Sequence, residues 1–444
     1  MERYQIGSIT ESMAMSSYYG PTPEDKASMN LPFMLHLKGK MNKDRLEDSI
    51  RKVLSQNILH SYVSFSDNQF FFNEKKMDDF KLEVVKTEGD SEEEKIGFVN
   101  EFAKKQALEP LPLFEKDKPQ YFFKLYEIDE NYHILVMIVH HTFLDFGAVS
   151  IAIKYIFSFY NTDDYKMEDS AEFSKFMGEE LSFLASEDAK MEDEYWTKEL
   201  EGYTAQPLKE DEDNDNPILT EQECMCLLDR KELDEMANQY RTSTSNIIML
   251  MIQMAIAKAN DSNDTLVQYA ISNRSELQYR YTLGCLTRIL CNRMDFDDDM
   301  TVTELNKVMR KKLGGGYQNR HVAGKTPLGA VPYVIANEDM GDLDITPMFG
   351  NNPIPIEFVD LPRKFTFVAM LIMPIDIDKI AIGILTDMKA YGRHAKKIVD
   401  NVALAAKFMN SYPNKTFGDY MRKDINIDTL DLLNEEDSVE IIEI

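Results

Sequence analysis

A continuous apolar run from Ile134 to Val139 reads as a strand buried on both faces, and it delivers two adjacent histidines, His140 and His141, at its end. Asp145 stands four residues beyond the second histidine. A helical pattern then opens near Gly147 and runs through Ile151, Ile153, Tyr155 and Ile156. A strand end followed by a turn and a helix is where α/β proteins hold reactive groups, because the scaffold is rigid and the tip is open. The chain of 444 residues has only seven histidines, so His-His-x-x-x-Asp arises from composition about once in a hundred such chains.

Each position has a chemical reading. A neutral imidazole titrates near physiological pH and can take a proton from an attacking amine or hydroxyl. A carboxylate nearby can fix the tautomer of a histidine, or brace the loop by pairing with an arginine. Adjacent residues on a strand point to opposite faces, which makes His140 and His141 poor co-ligands, and no metal is expected.

The pattern resembles the His-His-x-x-x-Asp-Gly active-site motif of nonribosomal peptide synthetase condensation domains, within the wider superfamily of chloramphenicol acetyltransferase-like acyltransferases. Other stretches resemble the same family in order. Leu37-Lys38-Gly39-Lys40-Met41 and a helix over 43–56 match its opening strand and first helix, and residues 145–160 match the helix after the motif. Tyr195-Trp196 with Leu200 and Gly202 matches its Tyr-Trp-x-x-x-Leu-x-Gly element, and Ser272-Asn273-Arg274 its loop ending in arginine. Gly284 through Arg293 is similar to a later Gly-x-Phe-x-Asn-x-x-Pro-x-Arg strand, and the likeness spans roughly 1–420. There are departures. Phe146 separates Asp145 from Gly147, and Leu59-His60 stands where the family has a Leu-Arg pair. Arg288 and Cys291 replace the usual asparagine and proline, and the Asp-Phe-Gly-x-Gly element of plant-type members has no counterpart.

The resemblance implies an α/β fold with mixed sheets, built as two acyltransferase-like lobes arranged as a V with a tunnel at their junction. The expected boundaries are 1–170 for the lobe carrying the motif, 171–423 for the second lobe and 424–444 for an acidic tail. The implied reaction moves an acyl or aminoacyl group from a phosphopantetheine thioester on a carrier protein to an amine or hydroxyl, in natural product biosynthesis. His141 is the expected catalytic residue, with His140, Asp145 and Gly147 in support; the substrate-binding residues are not indicated. A CoA-dependent O- or N-acyltransferase acting on a small molecule is the alternative, and a catalytically silent scaffold a third. No permanent cofactor is expected, only phosphopantetheine or CoA borne by the substrate. The expected partners are acyl or peptidyl carrier proteins, or other synthetase subunits, and a small-molecule acceptor. With no adenylation or carrier module visible, the expectation is a free-standing enzyme.

Composition bounds the rest. A formal charge of −28 repels phosphate backbones and anionic lipid, so neither nucleic acid nor membrane is expected as a partner. Cys224, Cys226, Cys285 and Cys291 have no zinc-type spacing, and reduced thiols in the cytoplasm are expected. No signal-peptide run or apolar stretch of spanning length is present.

Along the chain, strands are expected at 31–37, 62–65, 69–72, 82–85, 121–126 and 133–139, with a helix over 92–108. His133 alternates out of the apolar run and reads as a surface or edge residue. Trp196, the single tryptophan, reads as packed core, and Met249, Met251 and Met254 as core filling on a long buried helix. Residues 209–216 form an acidic loop, and strands follow at 218–228, 266–271, 284–293, 354–358, 364–373 and 379–386. Gly314-Gly315-Gly316 and Gly324-Lys325-Thr326 invite a phosphate-loop reading. That motif needs glycine where Asn319 stands, so a flexible loop after a helix over 302–313 is expected instead. The tail reads either as packed on the body or as an acidic docking segment.

Overall fold

The computed structural model describes residues 3–56, 58–76, 79–204, 208, 210–211, 218–322, 331–337, 346–359, 361, 367–374 and 378–433. The chain forms two compact units: Met1–Ser186 with Ser272–Thr287 and Met340–Pro362, and Glu187–Ile271 with Arg288–Asp339 and Arg363–Ile444.

The first unit is organised around the strand Tyr132–His140, in which every residue is buried. It runs antiparallel to Asn30–Lys38 on one side and Tyr121–Asp129 on the other, with Leu135 opposite both Leu35 and Leu125. Ile356–Phe358 and Glu83–Lys86 complete the five-stranded sheet at its edges. Strand alternation sorts the apolar side chains into two cores. Leu135, Met137 and Val139 pack with Leu46 and Ile50 of the helix Lys43–Leu54 and Ile151 of the helix Phe146–Asn161. Ile134, Val136 and Ile138 pack with Val99, Ala103 and Ala107 of the helix Glu92–Ala107. A second, three-stranded antiparallel sheet joins Arg3–Gln5, Gln69–Glu74 and Ser61–Ser66. Its hairpin turns on Asp67 and Asn68, both at left-handed φ (54° and 59°), where short polar side chains are tolerated.

His133 departs from expectation. It is 3% exposed, because its strand is central in the sheet and helices cover both faces. Burial lowers its pKa. The lobe boundary also differs from residue 170. The helix Phe173–Leu184 stays with the first unit, where Phe173 packs on Phe72 (6.0 Å between ring centroids) and on Tyr4. Two later segments return to that unit, one of them supplying the edge strand Ile356–Phe358.

The second unit holds a six-stranded mixed sheet, in the order Arg288–Asp295, Asp264–Ile271, Tyr333–Asn337, Val368–Pro374, Lys379–Leu385, Met225–Asp229. The helices Thr244–Asn260 and Met388–Ser411 pack together in its core, and Met249, Met251 and Met254 are buried there. Trp196 is buried in the same core and donates its indole N–H to the carbonyl of Asn319 at 2.7 Å. The glycine triplet is not a loop, because the helix Val302–Gln318 runs through it. A Cβ on Gly315 would lie 2.6 Å from the Tyr195 hydroxyl, and one on Gly316 would lie 2.9 Å from the Tyr269 hydroxyl. Gly315 and Gly316 serve close packing, whereas a side chain on Gly314 would meet open space. Gly324-Lys325-Thr326, most of the acidic loop and residues 434–444 lie outside the described residues. The described start of the tail packs inward through Ile425, Leu430 and Leu433. Among the described residues, no helix is long and apolar enough to cross a membrane.

One close approach in the first unit is testable. A Cβ on Gly284 would stand 2.2 Å from Cδ2 of Phe173, closer than any relaxed contact. Gly284→Ala is therefore expected to lose about 1–3 kcal/mol through overpacking, against about 0.4–1 kcal/mol gained from a stiffer unfolded chain. A lowered urea midpoint would agree; a raised one would mean Phe173 yields freely.

Candidate active site

Successive side chains at the end of a strand leave opposite faces, and the two histidines accordingly differ. His140 is fully buried. Its Nδ1 accepts the backbone N–H of Thr142 at 3.1 Å, so Nε2 carries the proton and donates to the Ser17 hydroxyl at 2.8 Å. Ser17 in turn donates to the carbonyl of Lys26 at 2.9 Å. Burial, reinforced by the adjacent His141, pushes the His140 pKa down to about 3. The ring is a neutral structural strut with both nitrogens in use.

His141 is partly open. Its backbone N–H is tied to the carbonyl of Met29 at 2.9 Å, and its Nδ1 lies 3.9 Å from the Cys285 sulfur. Among the described residues, Nε2 has no protein partner. Desolvation lowers its pKa, while its own carbonyl and the Asp145 charge pull the other way. The imidazole is thus neutral at physiological pH, with one nitrogen available.

Asp145 is 1% exposed and caps the helix Phe146–Asn161. Its Oδ1 accepts from the Ala148 N–H and from Arg274 Nη2, both at 2.7 Å. Its Oδ2 accepts from the N–H groups of Leu286 (2.7 Å) and Thr287 (3.1 Å) and from the Thr287 hydroxyl (3.3 Å). Arg274 also donates to the carbonyls of Thr282 (2.7 Å) and Gly284 (3.1 Å). A helix N-terminus, a guanidinium and two strand-edge amides therefore converge on one carboxylate. Gly147 is buried in the first turn of the helix.

The sequence-predicted residues His140, His141, Asp145 and Gly147 thus fall together at one strand–helix junction. Three contributors were not singled out as site residues. Ser17 lies on the helix Ser8–Tyr19, whose weak amphipathic pattern gave no signal. Arg274 was visible only as the end of a family-like loop, with no sign that Asp145 was its partner. Cys285 carried no spacing signal. His60 does not reach Asp145; its Nε2 lies 3.3 Å from Glu74.

The chain has relatives among known proteins. The family model "Condensation domain" matches residues 21–329. Surfactin synthase subunit 1 of Bacillus subtilis (strain 168) is 21% identical over 339 residues, covering 72% of this chain and 9% of the synthase. Bacitracin synthase 3 of Bacillus licheniformis is 23% identical over 307 residues, 66% of this chain and 4% of that protein. The chain therefore spans less than a tenth of the length of these relatives. The first condensation domain of the calcium-dependent antibiotic synthetase, solved with a substrate analogue, superposes with a TM-score of 0.75 at 12% identity, over 94% of this chain and 99% of that one. The condensation domain of Monacolin K polyketide synthase gives 0.74 at 12% identity, over 94% and 99%. The fold is that of these condensation domains. The chain belongs to the condensation-domain family.

Asp145→Ala is expected to cost about 3–5 kcal/mol in urea unfolding, since it strands a buried guanidinium. Asp145→Ala combined with Arg274→Ala should cost less than the sum of the two single changes, because both remove one interaction. Strict additivity would mean that the pair is not coupled.

The His140 tautomer has a pH consequence. Its folded pKa, about 3, lies below the ordinary 6.5, so the neutral form is favoured by folding. The associated stability is complete above pH 6.5 and is lost as pH falls from there toward 3, as the unfolded chain takes up the proton first. His140→Gln should flatten the stability–pH curve in that window, relative to the unmodified chain. An unchanged slope would mean that the ring titrates normally in the fold.

Proposed function

We propose that this chain is a condensation enzyme that transfers an acyl or aminoacyl group from a phosphopantetheine thioester on a carrier protein to an amine acceptor, forming an amide. A hydroxyl acceptor would give an ester by the same steps. The observation that carries the reading is the state of His141: a neutral imidazole at a partly open strand end, with Nε2 unengaged among the described residues.

In this reading the acceptor amine attacks the thioester carbonyl and forms a tetrahedral intermediate. His141 Nε2 takes the proton released from the nitrogen. The intermediate collapses with cleavage of the carbon–sulfur bond, and the phosphopantetheine thiol departs carrying a proton. Thioesters are already activated toward amines, so holding the two reactants together contributes more than the base does. Asp145 shapes the loop. Its two oxygens accept five donors, which leaves it no role on substrate. Carrier proteins or synthetase subunits would present the acyl group; phosphopantetheine arrives with the substrate.

Intact-protein mass spectrometry of acyl-loaded carrier proteins mixed with the enzyme and candidate amines tests this. Loss of the acyl mass from the carrier, slowed about 10²–10⁴-fold in His141→Ala with an unchanged melting temperature, is the expected result. The acid limb of the rate profile should fall below pH 6.5, since the base has a lowered pKa. Turnover of acyl-CoA alone would instead favour a small-molecule acyltransferase. Turnover of neither, with a tight complex retained, would favour a silent scaffold.

A further inference from the structure

The chain carries 77 acidic residues against 49 basic ones, so a group of cations without carboxylates stands out on its surface. On the helix Val302–Gln318, Lys307, Arg310 and Lys311 lie three and four positions apart and share one face. All three are exposed. Arg310 Nη1 donates to the carbonyl of Arg241 at 2.9 Å, which brings a fourth exposed cation alongside. Among the described residues, none of the four takes part in an ion pair. Neighbouring carboxylates are engaged elsewhere. Glu304 closes the capping box with Thr301, and its pKa is lowered chiefly by the Thr301 amide and hydroxyl and least by Lys307. Glu199 takes Lys312 at 2.9 Å, and Asp234 accepts from the Thr244 hydroxyl at 2.9 Å. Four like charges gathered in this way repel one another and favour an anionic cover.

The described residues end close to this patch, within the second unit. The hydroxyl of Tyr240, the residue before Arg241, donates to the Met409 carbonyl at 2.5 Å. Three residues on, the Tyr412 hydroxyl donates to Asp431 at 3.0 Å. The adjacent Pro413 carbonyl accepts the N–H (3.2 Å) and hydroxyl (3.0 Å) of Thr303, in the first turn of the helix that carries the patch. Leu433, two residues beyond Asp431, is buried in the same core. Lys307 and Lys311 follow Thr303 by roughly 6 and 12 Å, at about 1.5 Å per residue. Residues 434–444 reach roughly 36 Å when extended, at about 3.3 Å per residue. They contain Glu435, Glu436, Asp437, Glu440 and Glu443, and no lysine or arginine.

We propose that residues 434–444 dock on the patch formed by Arg241, Lys307, Arg310 and Lys311, with their carboxylates supplying its counter-charge. Single exposed ion pairs are weak, but several acting together from one tethered segment benefit from an effective concentration on the order of mM. An acidic protein approaching this face must displace the segment first. The proposal does not depend on the acyl-transfer reading.

Carbodiimide coupling of the full chain, read by peptide mass spectrometry, tests it. The reagent takes up one water as a carboxylate and a lysine amine in contact become an amide. Lys312 with Glu199 is the internal control. At low ionic strength, an amide between Lys307 or Lys311 and a carboxylate of residues 435–443 is expected within one chain. Its yield should fall about tenfold or more in 1 M NaCl, where the screening length is about 3 Å. Arg241→Ala combined with Arg310→Ala should lower the yield about threefold or more at an unchanged melting temperature. Formation of the control amide without the tail amide would overturn the proposal, as would a yield unchanged by salt or by the double variant. In a mixture of ¹⁴N- and ¹⁵N-labelled chains, tail amides found only between unlike chains would assign the patch to a second copy instead. An acidic carrier protein that shields Lys307 and Lys311 from acetylation, with no tail amide formed in its absence, would assign it to a separate partner.

Discussion

The buried Asp145 carboxylate is the constraint on which the site depends. A carboxylate removed from water is strongly unfavourable unless donors replace its hydration. Here the replacement comes from three places in the sequence: the N–H of Ala148, the guanidinium of Arg274, and the amides of Leu286 and Thr287. The carboxylate thereby ties the place where the helix Phe146–Asn161 begins to the place where the segment 272–287 returns. The turn carrying His141 is clamped between that helix cap and the buried strand. A loop otherwise free to fluctuate is thereby held in one geometry.

The same strand divides the labour between the histidines. Period-2 alternation sends the His140 ring into a closed hydrogen-bond chain through Ser17, and leaves His141 partly open. A strut must be neutral and saturated, and burial enforces the first as the Thr142 amide and Ser17 hydroxyl enforce the second. A base must be neutral with a nitrogen to spare. Two identical residue types, one position apart, meet these different demands because the backbone aims them differently.

Most sheet strands, the helix after the motif and the four motif residues were legible because each rests on local signals: an apolar run, helical periodicity, and a rare His-His-x-x-x-Asp spacing; the strands expected at 218–228 and 284–293 begin only at Met225 and Arg288. What was not legible is non-local. Nothing in Arg274 announces a partner at Asp145, and nothing in the pattern of residues 8–19 announces a helix carrying the strut to His140. His133 was misread because alternation alone cannot tell an edge strand from a central one. The glycine triplet was misread because a breaker in an isolated helix becomes a packing device at Gly315 and Gly316, where Tyr195, Trp196 and Tyr269 occupy the space a side chain would need. In each case the deciding neighbour lies far away in sequence.

Two departures from the family motif become intelligible on the same grounds. A carboxylate cap needs the backbone N–H groups of the first helical turn, and those are present whatever side chain follows it. Phe146 in that position turns its ring toward Phe33, 5.7 Å away between centroids, while Gly147 remains buried within the turn. The shift of glycine by one residue therefore leaves the Asp145 cap intact. The other departure, His60 in the place of an arginine beside Leu59, leaves the Asp145 pair untouched. His60 is occupied with Glu74, and Arg274 supplies the positive charge from a different segment. A carboxylate selects for a guanidinium within reach, not for the place in the sequence it comes from.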